Sequence, residues 1–456
     1  MDLQRVDRSV QTDAGAKPPR PDGYRLISAD WVLPVEGAPI EDGAVSIADG
    51  RITAVGPASE LGEGERFPGA AIIPGLVNAH SHLEYATYGG FGDGLDFGEW
   101  LLVHVERKAR IAWDEFVAIA RLGAAESLRS GVTTVGDASF SGATAPACAE
   151  MGLRAIVYLE VFGTDLGTLD ERFARNRDRI EGALSDRVRL GVSPHAPYTV
   201  SAELYGACLG LGLPVATHLA ESEAEQRWMR SGTGPWERFA DVLPAPPGTT
   251  GVRHLAAHGL LSPAMVAAHC VKVDADEIAL LAEHDVAIAH CPRSNALLGC
   301  GIAPLTELRA AGIRVGLGTD SPASAPSFDM FDELRTAVQA ARARSERADA
   351  LTATEALELA TLGSAHALRL DGETGSLVPG KRADLAVVSM AGSSWLPWED
   401  ATAAIVLGGS PERVLLTLVD GEPRYRREGP REWHALIAAA QAARAQLLAR
   451  EANTPS

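Results

Sequence analysis

The sequence predicts an α/β fold, a (β/α)8 TIM-like barrel with a small β-sandwich domain formed from the N- and C-terminal segments. Three observations predict it. Apolar strand-like runs alternate with helix-like stretches through the middle of the chain, both ends carry β-type patterning, and His or Asp recurs where the middle runs stop.

Taken in order, residues 1–22 are polar, contain Pro and Gly, and are expected to form a flexible arm. From Tyr24 the segments YRLISADWVL and GAVSIADGRITAVG read as strands, with Asp49-Gly50 as a hairpin turn. The same style returns in ADLAVVSM, AAIVLGG and RVLLTLVDGEPRY. Residues 23–70 and 370–426 are therefore expected to pair as one small β-domain. Residues 71–369 hold eight strand candidates: AIIPGLVNAH, VTTVGDA, RAIVYLEVF, VRLGVSPH, LPVATHLAE, MVAAHCV, VAIAHCP and IRVGLGTDS. Helix-like stretches such as DEFVAIARLGAAESLRSG and ADEIALLAEHD separate most of them, as a barrel requires. An open doubly wound sheet is the competing arrangement, but no G-x-G-x-x-G follows a strand to support it. Residues 427–456 are expected to be a C-terminal helix and tail.

Composition narrows the partners. The formal net charge is -19, from 41 Lys and Arg against 60 Asp and Glu, with no basic run. Such a surface repels polyanions, so nucleic acid is excluded and a small molecule is the expected ligand. The five cysteines are scattered without a C-x-x-C pair, which argues for a reducing compartment. No apolar signal region opens the chain and no run of about eighteen apolar residues occurs, so a cytoplasmic protein without a membrane span is expected. Homo-oligomerisation stays open.

Barrel enzymes place their chemistry at the C-terminal ends of the strands. His80 and His82 close the first candidate, His195 the fourth, His218 the fifth, His269 the sixth and Asp320 the eighth; the seventh carries His290. Residues i and i+2 of a strand share a face, so His80 and His82 can aim at one ion. A lone histidine is ordinarily a packing or surface residue. Five strand ends with the same ligand chemistry point instead to a divalent transition metal, Zn²⁺ first and Fe²⁺ or Mn²⁺ as alternatives. Glu221, three residues after His218, stands where a carboxylate can move a proton of a water molecule, although a Glu there also suits the first turn of a helix.

The motifs PGLVNAHSH, HLAE, AHC and LGTD, with the late segment GSLVPGKRADLAVV, resemble the amidohydrolase superfamily from about residue 24 to residue 426. The resemblance is to the aminohydrolase branch, which includes cytosine, guanine and adenosine-derivative deaminases and triazine hydrolases. It implies that His80, His82, His218 and Asp320 bind one metal. It further implies that Glu221 shuttles a proton with Asp320, that His269 contacts the water or the substrate, and that His195 touches substrate. No lysine ends the fourth strand, where the binuclear branches carry a carboxylated one. The implied reaction is hydrolytic removal of an exocyclic amine from a purine-like ring. Chloride or alkylamine removal from a triazine, opening of a cyclic amide, and an inactive scaffold are the competing readings.

Within that branch, H-x-H-L-E and F-x-E-W-L look most like 6-aminodeoxyfutalosine deaminases, with adenosylhomocysteine and methylthioadenosine deaminases next. Glu84 is read as a ribose contact, and Ser324 and Trp100 as further substrate contacts. Trp100 either covers a flat ring or anchors a surface helix. Arg107, Lys108, Arg110, Arg227 and Arg293 are the cations available for a carboxylate tail. GSLVPGKR lacks the hydroxyl of a phosphate-binding loop, and H-x-E without P-C-x-x-C excludes the nucleic-acid base deaminases. Neither H-E-x-x-H nor G-x-S-x-G occurs.

Overall fold

The computed structural model describes residues 24–62, 64–391, 398–428 and 432–452. The arm expected over residues 1–22 lies outside the described residues. Four strands open the chain: β1 (Arg25–Val32), β2 (Ile40–Ala48), β3 (Arg51–Pro57) and β4 (Glu65–Pro74). Eight follow: β5 (Leu76–Ser81), β6 (Val132–Ser139), β7 (Arg154–Val161), β8 (Val188–Pro194), β9 (Val215–Leu219), β10 (Met265–His269), β11 (Ala287–His290) and β12 (Val315–Leu317). Then come β13 (Leu385–Ser389), β14 (Val414–Val419) and β15 (Glu422–Arg426).

Strands β5 to β12 pair in sequence order, all parallel. The ring is drawn shut by Asp320, whose N–H donates to the His80 carbonyl at 3.0 Å, and by a bridge between Ser81 and Asp320. Asn78 reinforces it: its Nδ2 donates to Thr319 Oγ1 at 2.7 Å, and its Oδ1 accepts from Thr319 N at 3.0 Å. Gly318 permits this closeness, because a Cβ there would sit 2.8 Å from that of His80. Alternation sorts the side chains. On β7, Ile156 and Tyr158 fill the barrel interior with Val77, Ala216, Val266 and Leu368, while Val157 and Leu159 pack outward beneath the helices.

The remaining seven strands form one mixed sheet in the order β15-β14-β13-β4-β1-β2-β3, so both ends of the chain meet in it. Its inner face joins Ile27, Val45, Ile52, Ile72, Leu385 and Leu416 in a single buried cluster. That cluster holds residues of the sheet and of the approach to β13. Arg154 at the start of β7 ties the sheet to the barrel through Asp384 (2.9 Å) and Asp420 (2.6 Å).

Two segments differ from their sequence reading. AIIPGLVNAH is two strands in two sheets, β4 and β5, divided at Gly75. A Cβ on Gly75 would lie 2.1 Å from Thr133 Oγ1, so only glycine passes this hinge. AAIVLGG is the helix Ala401–Gly408, started by Asp400, whose carboxylate accepts from Ala403 N at 2.8 Å. A short apolar run suits a buried helix as well as a strand, and the cap decides. The chain closes with the helix Glu432–Ala452, fixed by Arg107–Glu451 and Arg450–Glu115 ion pairs. No described helix is long and apolar enough to cross a membrane.

Candidate active site

The mouth of the barrel gathers His80, His82 and His218, whose ring nitrogens all lie within 4.8 Å of one another. His218 donates from Nδ1 to the His195 carbonyl at 3.0 Å, which leaves the lone pair of Nε2 facing His82 Nε2 at 3.3 Å. Asp320 completes the set. Its Oδ2 accepts from the hydroxyls of Ser294 (2.6 Å) and Ser324 (2.7 Å), so Oδ1 is turned to His82 Nε2 at 3.5 Å and His80 Nε2 at 3.6 Å. Burial pulls the His80 pKa down to about 4 and that of His82 to about 3, so both rings are neutral. His80 Nε2 has no hydrogen-bond partner among the described residues. Converging neutral imidazoles, an orphaned nitrogen and a pre-aimed carboxylate oxygen suit one divalent transition-metal ion.

Glu221, His269 and Asp320 form a second trio within 4.8 Å. Ser222 caps the helix Glu223–Ser231, so Glu221 precedes the helix and is not part of its first turn. Glu225 accepts from the backbone N–H of Ala220 (2.9 Å) and of Glu221 (2.7 Å), pinning the bend that sends the Glu221 side chain into the mouth. There its Oε1 lies 3.6 Å from His269 Nε2. Burial, then the nearby Asp320 and Glu225, raise the Glu221 pKa. His269 Nδ1 donates to Asn295 Oδ1 at 2.9 Å, which frees Nε2 toward Glu221. Left-handed backbone at Ala220 (φ 52), His269 (φ 74) and Asp320 (φ 58) breaks the strand alternation at these very residues. Such strain concentrates at working sites.

Beside the two trios opens a cavity lined by members of both and by an aromatic wall. Trp100 and His104 stack at 5.1 Å on one wall, and Tyr198 and Trp236 stack at 4.6 Å nearby. Trp100 both lines the cavity and anchors its helix, Phe97–Lys108, by donating from Nε1 to the Ala323 carbonyl at 3.0 Å. His195 lines the cavity with Phe162 against its ring, and its Nδ1 pairs with Thr199 Oγ1 at 2.8 Å. Glu160, His195 and His218 make a third trio within 4.8 Å. The Lys108 ammonium, 3.9 Å from Glu160, already supplies positive charge there and disfavours a second ion.

Several expected contacts fall elsewhere. Glu84 is fully buried away from the cavity, accepting from Ser139 Oγ (3.1 Å), Ser141 Oγ (2.5 Å) and the backbone of Phe140 and Ser141. Its oxygens are committed to the loop after β6, so the ribose contact expected of it is corrected. Ser324 acts on Asp320 and does not line the cavity. Arg107 is paired with Glu451 and Arg293 with Glu333, Arg227 is exposed, and Arg110 does not line the cavity. His290 is buried outside the cavity lining. Sequence reasoning missed His104, Glu160, Ser294 and Asn295. Glu160 had a signal, a carboxylate at the end of the third barrel strand; Ser294 and Asn295 had none beyond following a strand end.

Residues 71–424 match the model of the Amidohydrolase family. A 5-methylthioadenosine/S-adenosylhomocysteine deaminase of Moorella thermoacetica is 33% identical over 415 residues, covering 88% of this chain and 94% of the relative. A 5'-deoxyadenosine deaminase of Methanothermobacter thermautotrophicus is 34% identical over 411 residues, covering 87% and 92%. The crystal structure of an adenosine deaminase from Xanthomonas campestris with bound zinc matches with a TM-score of 0.82 at 30% identity, covering 93% of this chain and 98% of that one. The chain belongs to the amidohydrolase family and is a hydrolase of C–N bonds.

Proposed function

We propose that the protein is a zinc-dependent deaminase that hydrolyses the 6-amino group of an adenosine modified at its 5' position. The observation that carries this reading is the Glu221–His269–Asp320 trio set directly against the three-histidine cluster on the floor of an aromatic-walled cavity. The names of the two relatives support the substrate class, and the zinc of the Xanthomonas structure supports the ion.

His80, His82, His218 and Asp320 Oδ1 would hold the ion. When bound, such an ion acts as a Lewis acid, bringing the pKa of water from about 15.7 to about 7. Glu221 takes the water proton and delivers it to the ring nitrogen next to the carbon under attack, which lets that carbon become tetrahedral. Asp320 shares the proton, and His269 Nε2, held by Asn295, orients the attacking oxygen. Ammonia leaves with a proton from the same carboxylates. His195 and the Trp100 wall hold the flat ring.

The tail at the 5' position is the finer question. Arg107 and Arg293 are spent on glutamates, and Lys108 on Glu160. Arg172, packed 4.3 Å from the Phe140 ring and 5.5 Å from that of Phe162, makes no ion pair with a described residue. It lies outside the cavity lining, against a neighbouring pocket, so no unpaired cation among the described lining residues favours a carboxylate tail over a methylthio one. Ammonia release and kcat/KM for 5'-deoxyadenosine, methylthioadenosine, S-adenosylhomocysteine and 6-aminodeoxyfutalosine test the reading. Activity on at least one is expected. Inactivity on all four, with chloride or alkylamine release from a triazine or ring opening of a cyclic amide instead, would overturn it.

A further inference from the structure

Lys108 and Glu160 belong to neither the metal cluster nor the proton relay, yet both line the same cavity. Their side chains are 7% and 2% exposed, from the end of the helix Phe97–Lys108 and the end of β7. The ammonium and Glu160 Oε2 are 3.9 Å apart, too far for a hydrogen bond, and neither group hydrogen-bonds to any described residue. A buried pair held this loosely recovers little of its desolvation cost unless further hydrogen bonds complete it. No described residue completes it. The ammonium rests over the rings of Phe140 (4.5 Å) and Phe162 (4.8 Å), which hold its position but accept no hydrogen bond in line.

The pair is neutral as a unit. A carboxylate brought to Lys108 meets Glu160, and an ammonium brought to Glu160 meets Lys108, so neither ion gains a net attraction. The partner that fits is a neutral group able to donate and accept at one place, which is a hydroxyl. Glu160 also lies within 4.8 Å of ring nitrogens of His195 and His218, so the hydroxyl sits near the reacting end of the substrate and not on a distant tail. In an adenosine, the hydroxyls closest to the ring are those of the ribose. Glu84, which the sequence offered for the sugar, has no free oxygen for it.

We propose that Lys108 and Glu160 are the ribose-reading pair: a sugar hydroxyl donates to the Glu160 carboxylate and accepts from the Lys108 ammonium. This rests on the adenosine reading above, and it makes the two residues specificity determinants for a ribonucleoside over its deoxy analogues.

The test compares kcat/KM for adenosine and 2',3'-dideoxyadenosine with zinc-loaded enzyme, in the wild type, Glu160→Gln and the charge-free double variant Glu160→Gln/Lys108→Met. A hydrogen bond to a charged group predicts a wild-type preference for adenosine of about 10- to 100-fold, falling to within about threefold in both variants. A pair that only braces the helix would lower both activities together and keep their ratio. Binding of inosine and 2',3'-dideoxyinosine to the wild type, read by thermal shift, gives the same discrimination without turnover or substitution. A wild type that treats the two nucleosides alike, or variants that keep the full preference, would overturn the inference and leave the deaminase standing. A wild type inactive on 5'-modified adenosines as well as on adenosine would overturn the adenosine reading, and this one with it.

Discussion

The hydroxyl of Ser294 donates to Oδ2 of Asp320 at 2.6 Å, and this single bond, with its twin from Ser324 at 2.7 Å, decides which carboxylate oxygen meets the histidines. Ligands oriented in this way typically lose about 10- to 100-fold in metal affinity when the supporting partner is removed. Ser294→Ala is expected to weaken zinc binding by that amount, measured by chelator competition. Unchanged affinity would mean that Oδ1 is not the metal-facing oxygen.

Glu221→Gln is expected to keep the metal and lose about 10²- to 10⁴-fold in kcat, because an amide cannot take the water proton. Metal per chain by mass spectrometry and ammonia release check the two halves. A variant retaining most of its kcat would move the proton to another residue.

His218→Ala and Asp320→Asn are each expected to lower metal content, whereas His195→Ala should leave it intact and raise KM. Metal loss in the His195 variant would bring the Glu160–His195–His218 trio into the metal site.

The link between the sheet and the barrel carries a stability prediction. Arg154 is almost fully buried against Asp384 and Asp420, and removing one partner of such a pair costs about 3–5 kcal/mol. Arg154→Ala should lower stability to denaturant by that amount. Burial alone would raise the Asp420 pKa, but Arg154 and Arg187 outweigh it and hold it below the ordinary value. A depressed folded-state pKa stabilises the protein above the unfolded value of about 3.9 and ceases to do so as pH falls through the folded one. In the variant the Asp420 pKa rises, so acid unfolding should begin at a higher pH. Coincident acid transitions would refute the coupling.

These outcomes bear on what the sequence could disclose. His80, His82, His218, His269 and Asp320 were legible because strand periodicity and strand ends fix their place whatever the loops do. The identity of the carboxylates was not. Glu84 and Glu160 both lie near a strand end, and Glu84 is withdrawn by hydroxyls at Ser139 and Ser141, 55 and 57 residues away in the chain. Periodicity carries no information on such long-range capture. The sequence offers Ser324 as a substrate contact, but its hydroxyl is turned to Asp320. AAIVLGG and AIIPGLVNAH were misread for a simpler reason: an apolar run states burial, and the cap at Asp400 and the hinge at Gly75 state the rest.

The central claim is that one metal ion and this histidine–carboxylate floor deaminate an adenosine-type nucleoside. Titrating metal-stripped protein with zinc while following ammonia release from 5'-deoxyadenosine tests it most directly. The account predicts activity that rises in proportion to zinc and stops rising at one ion per chain. Activity without metal, a plateau only at two ions, or a fully zinc-loaded protein that releases no ammonia from this or any other 5'-modified adenosine would contradict it.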